Sequence, residues 1–71
     1  MARRGPEYTR FQHRLRMARE RAGLSQAEAG RRLGKGQAYV WKSEVGERRV
    51  DLIEAKRFAK IYGVPVSFFY G

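Results

Sequence analysis

In the stretch QAYVWKSEVG, residues 37–46, a carboxamide (Gln37), an indole (Trp41) and an ammonium (Lys42) gather on one short helix-like run. The amide offers a donor and an acceptor side by side, the ammonium three donors, and the indole one donor on a broad apolar body. Such groups hold and discriminate a ligand. None of them is a nucleophile with a base beside it. Ser43 is the anomaly of the run, because it stands where a helix of this kind would bury an apolar side chain.

The rest of the chain adds no bond-breaking chemistry. His13 is the only histidine, and no arrangement of Asp, Ser or Cys would make it catalytic. It reads as a surface residue of a helix. Cysteine is absent, which excludes a disulfide framework and a thiolate metal site and fits a reducing cytoplasm. The carboxylates Glu28, Asp51 and Glu54 fall at capping positions, not in an acid/base pair. No glycine-rich phosphate loop with its following Lys-Ser/Thr occurs. The sequence therefore assigns no catalytic, metal-binding or cofactor-binding residue, and an enzyme is not the reading.

Charge carries more information. Sixteen Lys+Arg stand against seven Asp+Glu, a net charge of +9 on 71 residues. A chain this short makes one domain with a modest core. One this basic attracts polyanions, nucleic acid first and anionic membrane second. No apolar run approaches the roughly 20 residues needed to span a bilayer. The basic N-terminus, MARRGPEYTR, is followed by no apolar signal core. A cytoplasmic location, nucleoid-associated when DNA is bound, is expected.

Local patterns place these residues on helices. Residues 1–7 read as a loose basic arm with Arg3 and Arg4, since Gly5 and Pro6 interrupt a helix. The spacing of Phe11, Leu15, Ala18 and Ala22 predicts a first helix from Tyr8 to Ala22, closed by a left-handed Gly23. Its arginines read mostly as a solvated face. Ser25 with Glu28 is a capping box opening a second helix that ends at Leu33. A third helix is predicted over Gln37–Val45, stopped by Gly46. Asp51 with Glu54 opens a fourth, with an apolar face of Leu52, Ala55, Phe58 or Ala59, and Tyr62, ended by Gly63. One further helical turn starts at Pro65. The expected fold is all-α, with the folded domain over residues 8–71.

Two short helices joined by a tight turn with glycine form a helix-turn-helix signal, here QAEAGRRLGKGQAYVWKSEV, residues 26–45. Gly30 falls where the helices cross, Gly34 supplies the positive φ of the turn, and Val40 anchors the second helix. From Leu15 to Tyr70 the chain resembles the Cro/cI-type (XRE family) helix-turn-helix proteins, most specifically in AGLSQAE, LGKGQAYV, SEVGERR and AKIYGV. The resemblance implies a five-helix, lambda-repressor-like fold. It also implies binding of double-stranded operator DNA, as a homodimer, with the second helix of the motif in the major groove. Gln26 matches a phosphate-contacting position. Lys35, Gln37, Ala38, Trp41 and Lys42 match positions on or beside the groove-facing surface. Arg48 and Arg49 match a loop that approaches phosphates, and Arg19 and Glu44 match an internal ion pair. Ser43 and Ala29 depart from the pattern, so the nearby core must be filled from elsewhere, with Tyr39, Phe11 and Phe58 as candidates.

Helical geometry supports the same division. At roughly 100° per residue, Val40, Ser43 and Glu44 share one face of the third helix, while Ala38, Lys42 and Val45 share the opposite one. Trp41, on the flank, either meets DNA, lies back over the second and third helices, or meets a protein. Ile53, Ile61, Phe68 and Phe69 exceed what one short helix face buries and predict a symmetric dimer contact. The function expected is that of a small sequence-specific regulator, a repressor or autoregulator, on a palindromic operator. An antitoxin-type protein, a restriction–modification controller, a protein-bridging helix-turn-helix module and a binder acting by charge alone are the alternatives. No small-molecule effector is indicated.

Overall fold

Pro6 opens the first helix instead of blocking it. The computed structural model describes residues 5–71, and α1 spans Pro6–Arg21 with Gly5 as its N-cap. The expected start at Tyr8 treats Pro6 as a breaker. At the first helical position, though, proline lacks only an N–H that would have had no helical partner, and its fixed φ suits the helix. The basic arm expected over residues 1–7 thus yields Pro6 and Glu7 to α1. Its Arg3 and Arg4 lie outside the described residues.

Three more α-helices follow, α2 (Gln26–Arg32), α3 (Gln37–Val45) and α4 (Leu52–Tyr62), and then a 3₁₀ turn over Val66–Phe69. Both capping boxes form. Ser25 Oγ accepts from the Glu28 amide at 3.0 Å and Glu28 accepts from the Ser25 amide at 2.9 Å. Asp51 and Glu54 repeat the exchange at 2.8 and 3.0 Å. Among the described residues there is no strand. The last segment is not a fifth α-helix. The Phe68 amide donates to Pro65 at 2.9 Å and the Tyr70 amide to Ser67 at 3.0 Å, the tighter i→i−3 pattern of short terminal turns.

The crossing of α2 and α3 depends on two glycines. A Cβ on Gly30 would lie 2.6 Å from the Gly36 carbonyl oxygen, which only backbone movement could relieve. Gly34 turns the chain with φ +73°, a conformation that costs glycine nothing. The Lys35 amide then donates back to Gly30 at 2.8 Å and closes the turn.

The core lies under this unit. Phe58, Phe69, Leu15 and Val40 are fully buried. Ala22, expected on the α1 stripe, is instead its exposed C-cap, and Leu52, expected on the α4 stripe, is 54% exposed at the helix start. Phe58 stacks on Tyr39 with ring centres 6.0 Å apart, and Phe11 meets Phe69 edge-on at 5.7 Å. Phe11, Phe58 and Phe69 share one buried cluster with Ala29, and Tyr39 packs against it. Phe69 is therefore part of the monomer core and cannot face another subunit as the sequence suggested. Ile61 and Phe68 also pack partly on that core. The guanidinium groups of Arg14 and Arg21 lie 4.9 and 5.5 Å from the Phe68 ring centre. Of the residues expected at a dimer contact, only Ile53 is largely exposed.

Candidate nucleic-acid interface

The two sides of α3 differ sharply. Val40 and Ser43 are wholly buried and the Glu44 side chain is 4% exposed. Gln37, Ala38, Trp41, Lys42 and Val45 are exposed, and none of them is acidic. Lys35 and Arg49 flank this surface in the preceding turn and the following loop, and both are exposed.

A polar chain runs from α1 through α3 to the exposed side. Arg19 grips the Glu44 carboxylate with two donors, Nε at 2.6 Å and Nη2 at 3.2 Å, and gives Nη1 to the Leu24 carbonyl at 2.9 Å. The hydrogen bond to Glu44 is the main reason the Arg19 guanidinium is held above its ordinary pKa. The same carboxylate accepts from Gln26 Nε2 at 3.2 Å. An ionised carboxylate only accepts, so it turns the Gln26 NH₂ inward and the amide oxygen outward. That oxygen takes a long contact of 3.5 Å from Gln37 Nε2. Gln37 keeps its own carbonyl oxygen and a second N–H for an outside partner.

Ser43 finds its explanation in Arg48. Ser43 Oγ donates to the Tyr39 carbonyl at 2.7 Å and accepts from Arg48 Nη1 at 3.3 Å. The guanidinium lies 4.1 Å from the Tyr39 ring centre and meets Glu54 Oε2 at 2.6 Å. Ser43 thus satisfies a buried backbone carbonyl and anchors a folded-back arginine, which no aliphatic residue does at that site. Arg48, expected as a phosphate contact, here holds Glu54 and Ser43, with its side chain 27% exposed. Arg49 is left as the exposed cation of the loop and forms no ion pair among the described residues. Tyr8 fastens the same loop: its hydroxyl donates to the Arg48 carbonyl at 3.3 Å and accepts from the Val50 amide at 3.4 Å.

Trp41 is 41% exposed and stands outside the buried core cluster. It borders a shallow depression of about 280 Å³ with Arg16, Arg19, Gln26, Glu44 and Val45. The indole and the Arg19–Glu44 pair thus share the wall of one solvent-facing depression. Arg16, which the sequence places on a solvated face of α1, is 64% exposed and pairs with Glu20 at 3.1 Å.

A family model for the helix-turn-helix domain matches residues 10–67. The chain belongs to that family. Two curated relatives, an uncharacterized HTH-type transcriptional regulator of Sinorhizobium medicae and another, R00410, of Rhizobium meliloti, are each 37% identical over 57 residues. Each match covers 80% of this chain and 41% of the relative, so the chain spans about two fifths of their length. The crystal structure of a hypothetical transcription factor, NHTF, from Neisseria superposes with a TM-score of 0.84. At 23% identity, covering 100% of this chain and 85% of that one, it shows a shared fold.

Proposed function

We propose that the chain is a Cro/cI-type, sequence-specific binder of double-stranded DNA acting as a transcriptional regulator, with α3 in the major groove. The observation that carries this reading is the exposed side of α3. It is free of acid and bears an amide, an indole and an ammonium, and its leading amide is oriented by the chain Arg19–Glu44–Gln26. Gln37 pairs with adenine through its free donor and acceptor, and Lys42 donates to guanine O6 or N7. Ala38 permits close approach, and Trp41 packs against sugar or a thymine methyl. Lys35, Arg49 and the backbone amide of Gln26, the first residue of α2, hold phosphates and set the register. A homodimer on a palindromic operator, with repression or autoregulation as the outcome, belongs to the same reading. For the dimer contact, Ile53 and its neighbour Leu52 offer exposed apolar surface.

The test is selection of bound duplexes from a random pool at about 150 mM salt, where binding by charge alone is weakened. A palindromic motif is expected. Gln37→Ala or Lys42→Ala should cost about 1–3 kcal/mol on that motif and relax selectivity at one or two base pairs. A pool that yields no motif would leave a charge-driven binder or a protein-bridging module as the reading.

A further inference from the structure

A groove of about 570 Å³ opens between the end of α2 and the later turns of α4. Leu33 and Ile61 form its apolar surface, and Arg32, Arg57 and Lys60 form the rest. No carboxylate lines it, and none of the three cations takes part in an ion pair among the described residues. Glu28 lies near enough to Arg32 to feel its charge. However, its carboxyl is held below the usual range first by the Ser25 amide it caps, and only weakly by Arg31 and Arg32. None of the five groove residues belongs to the surface proposed for DNA.

We propose that this groove docks an acidic segment of a partner protein that carries one aliphatic or aromatic anchor among its carboxylates. Three unpaired cations around two half-buried aliphatic side chains call for a ligand that is anionic and apolar at once. A nucleic-acid backbone would answer the charges but has no apolar projection to cover Leu33 and Ile61. A second copy of this chain is disfavoured by symmetry. A two-fold contact through the groove would set each group of three cations against its own copy, an arrangement that costs affinity. Arg57 and Lys60 stand one helical turn apart on α4, a spacing that carboxylates on one face of a partner helix can match. The site adjoins the Gly34 turn but uses no residue of the exposed side of α3. A regulator can therefore hold DNA with one surface and an acidic partner with the other.

The experiment is fluorescence anisotropy with a labelled synthetic peptide in which a single leucine is flanked on both sides by glutamates, at about 150 mM salt to suppress long-range attraction. Saturable binding is expected, weakened at least about tenfold by Arg57→Ala/Lys60→Ala and by replacing the peptide's leucine with serine. Both substituted residues are exposed, so the variant folds, and its affinity for a random-sequence duplex should stay within about twofold of the parent. The proposal is overturned if the double variant binds the peptide as the parent does. It is equally overturned if the serine peptide binds as well as the leucine peptide. It also fails if duplex affinity falls more than peptide affinity, which would put the groove on the path of DNA.

Discussion

Two ion pairs in this molecule have the same closest distance, 2.6 Å, and opposite settings. Arg19–Glu44 joins α1 to α3 with side chains 11% and 4% exposed, whereas Arg48–Glu54 joins a loop to the start of α4 with side chains 27% and 22% exposed. Length alone would rank them equal. Burial does not, because the effective dielectric around the first pair is lower and the cost of stranding either charge is higher. The first pair also has a reach the second lacks, since Glu44 orients Gln26 and, through it, Gln37 at the exposed side of α3.

The largest expected effect follows from removing the inner carboxylate. Glu44→Gln should lower stability by about 3 kcal/mol, the scale of an uncompensated buried charge. It should also weaken base selectivity by releasing Gln26. Denaturant unfolding with an unchanged m-value checks the first, and the selected duplex motif checks the second. A loss under about 1 kcal/mol would erase the distinction between the two pairs.

Arg48→Ala should cost less, about 1–2 kcal/mol, because its guanidinium is partly solvated and its neighbours regain water when it goes. On duplex binding it parts from its neighbour. Arg49→Ala should lower the slope of log affinity against log salt by about one, while Arg48→Ala leaves the slope near the parent's. Equal drops would mean that Arg48 leaves Glu54 to meet a phosphate.

The outer pair also has an acid signature. The hydrogen bond from Arg48 is the main reason the Glu54 carboxyl is held below its ordinary value of 4.5. A group depressed in the folded state contributes stability that is complete above its unfolded pKa. That contribution is lost as pH falls through the lower folded value, so the window lies below pH 4.5. Glu54→Gln keeps an acceptor for the Asp51 amide and removes the titration. Its stability should decline less steeply than the parent's over that window, and parallel declines would show that the Arg48 contact carries no linkage.

The inner pair was readable in the sequence and the outer one was not, for a physical reason. Capping boxes at Ser25 and Asp51, the Gly30 crossing and the Gly34 turn are local. Each follows from a few adjacent residues, and the four α-helices follow from them. Arg19 with Glu44 was readable because a resemblance ties two distant positions together. Arg48 was placed by that resemblance as a free phosphate contact. Its setting in the folded chain depends on Ser43 being small and polar, on Tyr39 offering a ring, and on Glu54 serving two donors at once. Each of these was visible singly, and only folding brings them together. Phe69 failed in the same way: its burial depends on how a 3₁₀ turn seats against Phe11, which no local pattern encodes. Arg16 was legible locally: a helical arginine with a Glu four residues on reads as ordinary surface pairing, and the pair is there at 3.1 Å.

The smallest stability effect should come from the residue that shares a depression with the inner pair. Trp41 is large, yet it is 41% exposed and absent from the core cluster, so it packs at the margin of the fold and fills no core space. Trp41→Ala should change stability by no more than about 0.5–1 kcal/mol, near the range of surface substitutions. Its effect on the selected duplex should be larger than its effect on melting, because an indole free of the core is available to sugar or a thymine methyl. Glu44→Gln is expected to show the reverse ranking, with stability hit first. A Trp41→Ala variant that melts as low as Glu44→Gln would mean that the indole is the seal keeping water from Arg19 and Glu44. The buried character of that pair would then belong to α3's outer side as much as to its inner one.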